Sequence, residues 1–308
     1  MPSPSKARVR RASSSKSPSR RTKPIEVLRA DCLASLPWLV HGFSTRDGGV
    51  SSCYGGRTLN LVRTAQDSAA NVERNRELFL RALGACDAGG ELWPLVQGRQ
   101  IHSSIVHHVA EGDRQVPPGD GLVTAVPGVL LAVKTADCVP VLIADVERRV
   151  VGAFHAGWRG TVARIVEKGV GEMRRHFGSR ARDLRAAIGP CIRLCCYQVG
   201  PEVRAEFVSQ FAYGSELFEE VFDSNAVHAR YPLLFLNQRA PGHGDLGPEI
   251  HLDLVEANRR QLLTAGLAAG NVCVIEGCTV CESKRFFSHR AEFGKTGRMM
   301  AVIGIRPR

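Results

Sequence analysis

The sequence predicts an α/β, or α+β, sandwich with a mixed β-sheet core, in a single folded domain. Three observations carry this. Apolar runs of strand length occur at Val129–Val133, Val139–Ala144, Val150–Phe154, Leu184–Ile188, Val272–Ile275 and Met299–Ile305. They are continuous rather than alternating, the pattern of strands buried on both faces. Helical stretches lie among the strands without strict alternation, which argues against a doubly wound sheet. No repeat of fixed period recurs.

The first 24 residues, MPSPSKARVRRASSSKSPSRRTKP, carry eight Lys or Arg and no acid. They lack apolar periodicity, so a disordered basic tail is expected over 1–24. A solvated extension, a loose anionic or RNA tether, and an Arg/Ser-rich transit peptide all fit this composition. The folded domain is expected over 25–308. His41-Gly-Phe-Ser-Thr-Arg46-Asp-Gly-Gly has a strand-like start and then a Gly-rich turn, where Arg46 could approach an anion. Residues 68–84 form an expected helix with Val72, Leu78, Phe79, Ala82 and Leu83 on one side and Gly84 as C-cap. Short strands Leu92–Val96 and Ile105–Val109 flank a bend at His102. Gly119-Asp120-Gly121 is expected as a turn. Residues 161–178 have helical spacing, with Val162, Ile165, Val166, Val170, Met173 and Phe177 in register. Further helices are expected from Glu202 to Ala212 and over 254–265, the latter capped by Asp253. Residues 236–250 are a Gly/Pro-rich loop.

At 308 residues, with 44% hydrophobic and 23% charged composition, the chain can bury a sizeable core. No apolar run approaches the roughly 18–20 residues of a membrane span, so no membrane partner is expected. Of the net charge of +11, only +3 remains once the tail is set aside. Nucleic acid is therefore not indicated as a partner, except weakly through the tail. The N-terminus lacks a secretory apolar region, so the ten cysteines are expected to be mostly reduced core thiols in a cytoplasmic protein.

The chemistry concentrates in 128–162. Cys138 precedes one strand and His155 ends the next, where sheet geometry can hold a thiol beside an imidazole. With His102 they form a donor set suited to a three-ligand metal site, or, without metal, to a nucleophile–base pair. Gly157 and Gly160 flank Trp158-Arg159 ahead of a helix start near Thr161, a natural anion site. Cys278 and Cys281 have the spacing of half a zinc knuckle. A partner pair would have to come from Cys191, Cys195 or Cys196, and small buried thiols near a turn are the expected reading. Dinucleotide, phosphate-loop and Gly-x-Ser-x-Gly motifs are absent.

HGFSTRDGGVS, QIHSS, TADCVPVLIAD, FHAGWRGT, IGPCI with CCYQVGPEV, HLDLVEANRRQL and CTVCESKRFFSHRAEFGKTGRMMAVIGI occur in one order. Together they resemble the bacterial YfiH/YlmD-type family, the laccase-domain or "polyphenol oxidase" proteins. The resemblance covers about residues 30–306, with a departure in 59–71, and implies a YfiH-like single domain. It implies a zinc-dependent purine nucleoside phosphorylase with adenosine deaminase activity. The expected substrates are adenosine, inosine, guanosine and methylthioadenosine, with phosphate. It assigns Zn(2+) to His102, Cys138 and His155, and marks Arg46, Arg159 and Arg290 as candidates for phosphate or substrate contact. Asp137 is a candidate for supporting the site or moving a proton, or else an exposed loop residue. The chain contains ten histidines and no His-x-His pair, so the ligand set of a multicopper oxidase is missing. Two other functions fit the same residues: a metal-free cysteine hydrolase or amidase on cell-wall peptides, with Cys138 as nucleophile and His155 as base, and a non-catalytic binding protein. The sequence specifies neither an oligomeric state nor a preferred nucleoside.

Overall fold

The computed structural model describes residues 24–113, 115–221 and 248–307. The expected tail, apart from Pro24, and residues 236–247 of the expected Gly/Pro-rich loop lie outside them. In chain order the elements are β1 (Val27–Leu28), α1 (Asp31–Ala34), β2 (Leu39–Ser44), β3 (Asp47–Ser51), α2 (Ala69–Leu83), β4 (Leu95–Val96), β5 (Val106–His108), β6 (Gly121–Thr124), β7 (Leu130–Thr135), β8 (Val139–Asp145), β9 (Val150–Ala156), α3 (Trp158–Val162) and α4 (Ile165–Phe177). They continue with β10 (Leu184–Ile188), β11 (Gln198–Val199), α5 (Pro201–Gln210), β12 (Phe218–Val221), β13 (Glu249–Leu252), α6 (Leu254–Thr264), β14 (Val272–Val274) and β15 (Met299–Ile305).

Two sheets stack face to face. One runs β1-β2-β15-β7-β4 and the other β14-β10-β8-β9-β6-β5; β11-β13-β12 form a small third sheet. Both large sheets are mixed: β7/β15 and β8/β9 are antiparallel, while β4/β7, β5/β6 and β10/β14 are parallel. The strand period of two decides which residue enters which layer. Leu131 and Val133 of β7 meet Leu142 and Ala144 of β8 and Ala301 and Ile303 of β15 between the sheets. Leu130 and Ala132 turn the other way, with Met300 and Val302, onto Phe79, Leu80 and Leu83 of α2. Val139, Val141, Ile143 and Phe154 face α4, α5 and α6, which supply Ile165, Met173, Phe207 and Leu262. The order is helix, sheet, sheet, helices, which explains the continuous apolar runs: each central strand is covered on both faces.

Several elements differ from the sequence expectation. The segment expected as one helix from 161 breaks at Arg164, whose φ of 61° is left-handed, so α3 and α4 are separate. The first of them already begins at Trp158, with Gly157 as its N-cap. The strand expected from Leu92 shortens to β4, with Leu92 contributing an isolated bridge to Cys86. Helix α2 ends at its predicted C-cap, a left-handed Gly84, and the structure adds Ser68 as its N-cap, accepting from the Asn71 N–H. Its buried face uses Leu80 rather than Leu78 and Ala82. Asp253 caps α6 by accepting from the Glu256 N–H at 2.9 Å.

The cysteines depart from the expectation of core thiols. Cys32 and Cys273 form a disulfide. Of the eight free thiols, only Cys191 and Cys278 are buried, and Cys53, Cys195 and Cys281 are exposed.

Candidate metal centre

The β8–β9 hairpin sets the first two ligands. Its register pairs Val139 with Ala156 and Pro140 with His155. Cys138, one residue before the paired segment, therefore lies at the same sheet end as His155. His102 arrives from the β4–β5 connection. Gln100 fixes that connection to β7: its side-chain amide donates to the Lys134 carbonyl and accepts from the Lys134 N–H, both at 2.8 Å. The amide thus imitates one more strand residue, and His102 follows two positions on with a left-handed φ of 57°.

The donor atoms of His102, Cys138 and His155 all lie within 4.8 Å of one another. Cys138 Sγ is 3.9 Å from His102 Nε2, and the two imidazole rings meet edge to face with centroids 5.0 Å apart. Gly157 lets the three converge. A Cβ there would sit 2.9 Å from His102 Cδ2 and 3.1 Å from Cys138 Sγ.

Asp120, expected only as part of a turn, is the residue that organises this centre. Its fully buried carboxylate accepts from His155 Nδ1 at 2.8 Å. It also accepts from the backbone N–H groups of Ile101, His102 and Ser103 and from the Ser103 hydroxyl. One carboxylate therefore fixes the His155 tautomer and the left-handed backbone of His102 together. With Nδ1–H donated to Asp120, Nε2 is the His155 nitrogen left to face a metal, which would take the place of the proton held there, as around ligating histidines. Burial opposes the Asp120 charge, but hydrogen bonds from His155 and Ser103 hold its carboxyl far below the usual range.

The same neighbours act on the pair beside it. Burial alone would raise the Cys138 thiol; the His155 charge and hydrogen bonds from both histidines bring it down to about 6. Burial would lower His155; the Cys138 charge and the Asp120 hydrogen bond raise it to about 9. A thiolate facing a cation-ready site is the form in which cysteine ligates metal. Two imidazoles and one thiolate fit zinc, and three protein ligands leave one position open.

Asp137 is not an exposed loop residue. It is buried, with a φ of 94° that Asp tolerates better than most side chains. Its carboxylate accepts from Thr279 Oγ1 at 2.6 Å and from the Arg290 N–H at 2.7 Å, and its carbonyl accepts from the Ile192 N–H. These bonds join three separate loops immediately before Cys138.

The three candidate arginines separate. Arg290 is exposed, donates to the Gln198 carbonyl at 2.9 Å and lies over the Tyr197 ring at 5.6 Å. Arg159 is exposed and stacks on Trp158 at 4.3 Å. Burial pushes the Tyr197 phenol up, and the charges of Cys138, Arg290, Asp137 and Arg159 all act on it. Tyr197 thus stands in electrostatic reach of the thiolate and of both arginines. Arg46 is committed elsewhere. It pairs with Glu292 at 2.9 Å, donates to the Ser283 and Tyr54 carbonyls and lies over Phe287.

Asp120 and Tyr197 are the residues that sequence reasoning missed. An acid between two glycines ahead of a strand, and a tyrosine after a double cysteine, were the available signals.

The family described as multi-copper polyphenol oxidoreductase laccase matches residues 40–306. A Deinococcus radiodurans protein named purine nucleoside phosphorylase is 39% identical over 288 residues, which is 91% of this chain and 93% of that protein. A protein named adenosine deaminase RL5, from an unknown prokaryotic organism, is 34% identical over 288 residues, 91% of this chain and 98% of that protein. Among solved structures, the Bacillus licheniformis hypothetical protein YfiH gives a TM-score of 0.75 at 33% identity, covering 88% of this chain and 94% of that one.

Proposed function

This chain belongs to the family described as multi-copper polyphenol oxidoreductase laccase, and within it we propose an enzyme that uses zinc to act on purine nucleosides. Its main reaction is phosphorolysis, with deamination of adenosine at the same centre. The carrying observation is the trio His102, Cys138 and His155 backed by Asp120. The relatives named purine nucleoside phosphorylase and adenosine deaminase supply the reaction class.

Zinc, when bound, supplies a Lewis acid with three protein ligands and room for one other. The chain's own residues do the rest. Asp120 keeps the His155 proton on Nδ1. In this reading Arg159 and Arg290 hold a phosphate dianion beside Tyr197, whose raised phenol stays protonated and can donate a hydrogen bond. Arg46 stabilises the segment that carries Arg290, through Glu292. Ile101 and Ile105, 44% and 46% exposed, flank His102 and offer an apolar wall for a purine ring. In phosphorolysis the bond from C1′ to the purine nitrogen breaks and a C1′–oxygen bond to phosphate forms. In deamination water replaces ammonia at C6. A cytoplasmic site of action belongs to the same reading; among the described residues, no helix is long and apolar enough to cross a membrane.

The family description names several coppers, and the residues do not fit that. The described metal-competent groups are one with two histidines and one with none. The chain lacks the His-x-His pairs a multicopper cluster uses.

A cysteine-hydrolase reading has one specific observation in its favour, the lowered Cys138 thiol beside an Asp-held His155. It leaves His102 and its left-handed backbone without a role.

The deciding experiment incubates protein of known zinc content with adenosine, with and without phosphate, and separates the products. Adenine and ribose 1-phosphate, formed only with phosphate and lost in His102→Ala, is the expected result. Inosine formed without phosphate would make deamination the main chemistry. Neither product at full zinc load would sink the nucleoside reading. Inactivation by alkylating Cys138, with chelators inert, would then favour the hydrolase.

A further inference from the structure

Four cysteines cluster outside the centre described above. Cys195 and Cys196 sit between β10 and β11, and Cys278 and Cys281 follow β14. The fold brings the two loops together across more than 80 residues of sequence. Cys191 and Cys278 form an isolated parallel bridge, the Thr279 N–H donates to the Cys191 carbonyl at 3.0 Å, and Arg193 donates to the Ile275 carbonyl at 2.8 Å.

We propose that Cys195, Cys196, Cys278 and Cys281 form a second metal site, a closed tetrathiolate that binds zinc and has a structural role.

The geometry fits that ion. All four Sγ atoms lie within 4.8 Å of one another. Cys281 Sγ is 3.3 Å from that of Cys196 and 3.7 Å from that of Cys195. Zinc–sulfur bonds of about 2.3 Å in a tetrahedron place the sulfurs about 3.8 Å apart, inside this spread. A disulfide would use two of the thiols and leave two behind; all four are free.

A second observation concerns Cys278. The backbone N–H groups of Cys281, Arg193 and Val280 are aimed at its buried sulfur. Donors from the third and fourth residues of the CxxC turn, directed at the first sulfur, favour the negative charge that sulfur carries as a metal ligand. The remaining ligands are more accessible, so an ion can enter from solvent.

Four protein ligands leave no open position, so the site is structural and not catalytic. Its position gives that role content. Cys196 adjoins Tyr197, and Thr279, inside the CxxC, donates to Asp137 beside Cys138. The ion would therefore clamp the two loops that shape one side of the catalytic centre. This proposal stands apart from the nucleoside reading, since its readout is metal content and ligand type.

The test measures zinc per chain in the full-length protein, purified anaerobically without chelators. The expected values are two in the wild type, one in His102→Ala and one in the double variant Cys278→Ser/Cys281→Ser. Cobalt-substituted His102→Ala should show intense thiolate-to-cobalt charge transfer in the near ultraviolet and tetrahedral bands in the red. If the double serine variant does not fold, the His102→Ala stoichiometry and spectrum still decide. Zinc-free His102→Ala that also takes up no cobalt into a thiolate-rich site would overturn the proposal. So would a disulfide among the four cysteines in the anaerobic protein, mapped by non-reducing peptide mass spectrometry.

Discussion

Asp120 shows how much of a candidate metal centre one residue can decide. Its carboxylate positions His155 through a side chain and His102 through the backbone. Asp120→Asn keeps the shape but replaces an acceptor-only group with an amide that can present N–H to the imidazole. The expected result is a roughly 10- to 100-fold loss of zinc affinity, the usual cost of such a change behind a ligand. Competition with a chromogenic chelator measures it, and an unchanged affinity would remove Asp120 from this role. Gly157 was legible as a glycine in a motif, but its reason is spatial: any Cβ would crowd both His102 and Cys138. The trio was legible as donor types at strand ends and turns, its grouping as ligands came from the family resemblance, and the fold brings its donor atoms within 4.8 Å of one another. The arginines were not, because sequence names a guanidinium without naming its partner. Arg46 met Glu292, while Arg159 and Arg290 remain exposed near Tyr197.

At the scale of elements, His41 ties β2 to the start of α1. Its Nε2 accepts from the Ala30 N–H at 3.0 Å, which requires the neutral ring. Burial first, and Arg29 second, lower His41 from 6.5 to about 4. The folded value lies below the unfolded one, so its contribution is complete above about pH 6.5 and is lost as pH falls toward 4. The shift corresponds to on the order of 3 kcal/mol. Urea unfolding of the wild type should therefore weaken over that window. His41→Gln, which keeps an acceptor but does not titrate there, should show a flatter dependence. Equal slopes in the two proteins would rule His41 out as the cause. The break between α3 and α4 belongs to the same scale. The apolar spacing runs straight through Arg164, and only its left-handed backbone separates the helices. Periodicity records which residues face the core and carries no signal for a turn that keeps them facing it.

For the whole molecule, the layer between the sheets is the common support of both sheets and of the centre at their ends. Leu142 lies fully buried in it, with Leu131, Val133, Ala301 and Ile303. Leu142→Ala should cost about 3 kcal/mol, from lost burial and the cavity left behind. Denaturant unfolding with an unchanged m-value checks it; a loss below about 1 kcal/mol would show that the layers collapse to fill the gap. The continuous apolar runs announced strands covered on both faces. They did not say that one face would meet a second sheet and the other a set of helices, since Val and Leu satisfy either neighbour.

By itself the sequence determined the mixed sandwich, the main strands, the helix caps at Gly84 and Asp253, and the residue types able to hold a metal. Each follows from local chemistry: burial pattern, backbone donors at helix ends, and the donor atoms of His and Cys. The tertiary structure alone decided which partners those groups would meet. It carried Asp120 to His155 over 35 residues and Cys195 and Cys196 to Cys281 over about 85. Sheet register and loop crossings fix such pairings, and a distance along the chain does not encode them.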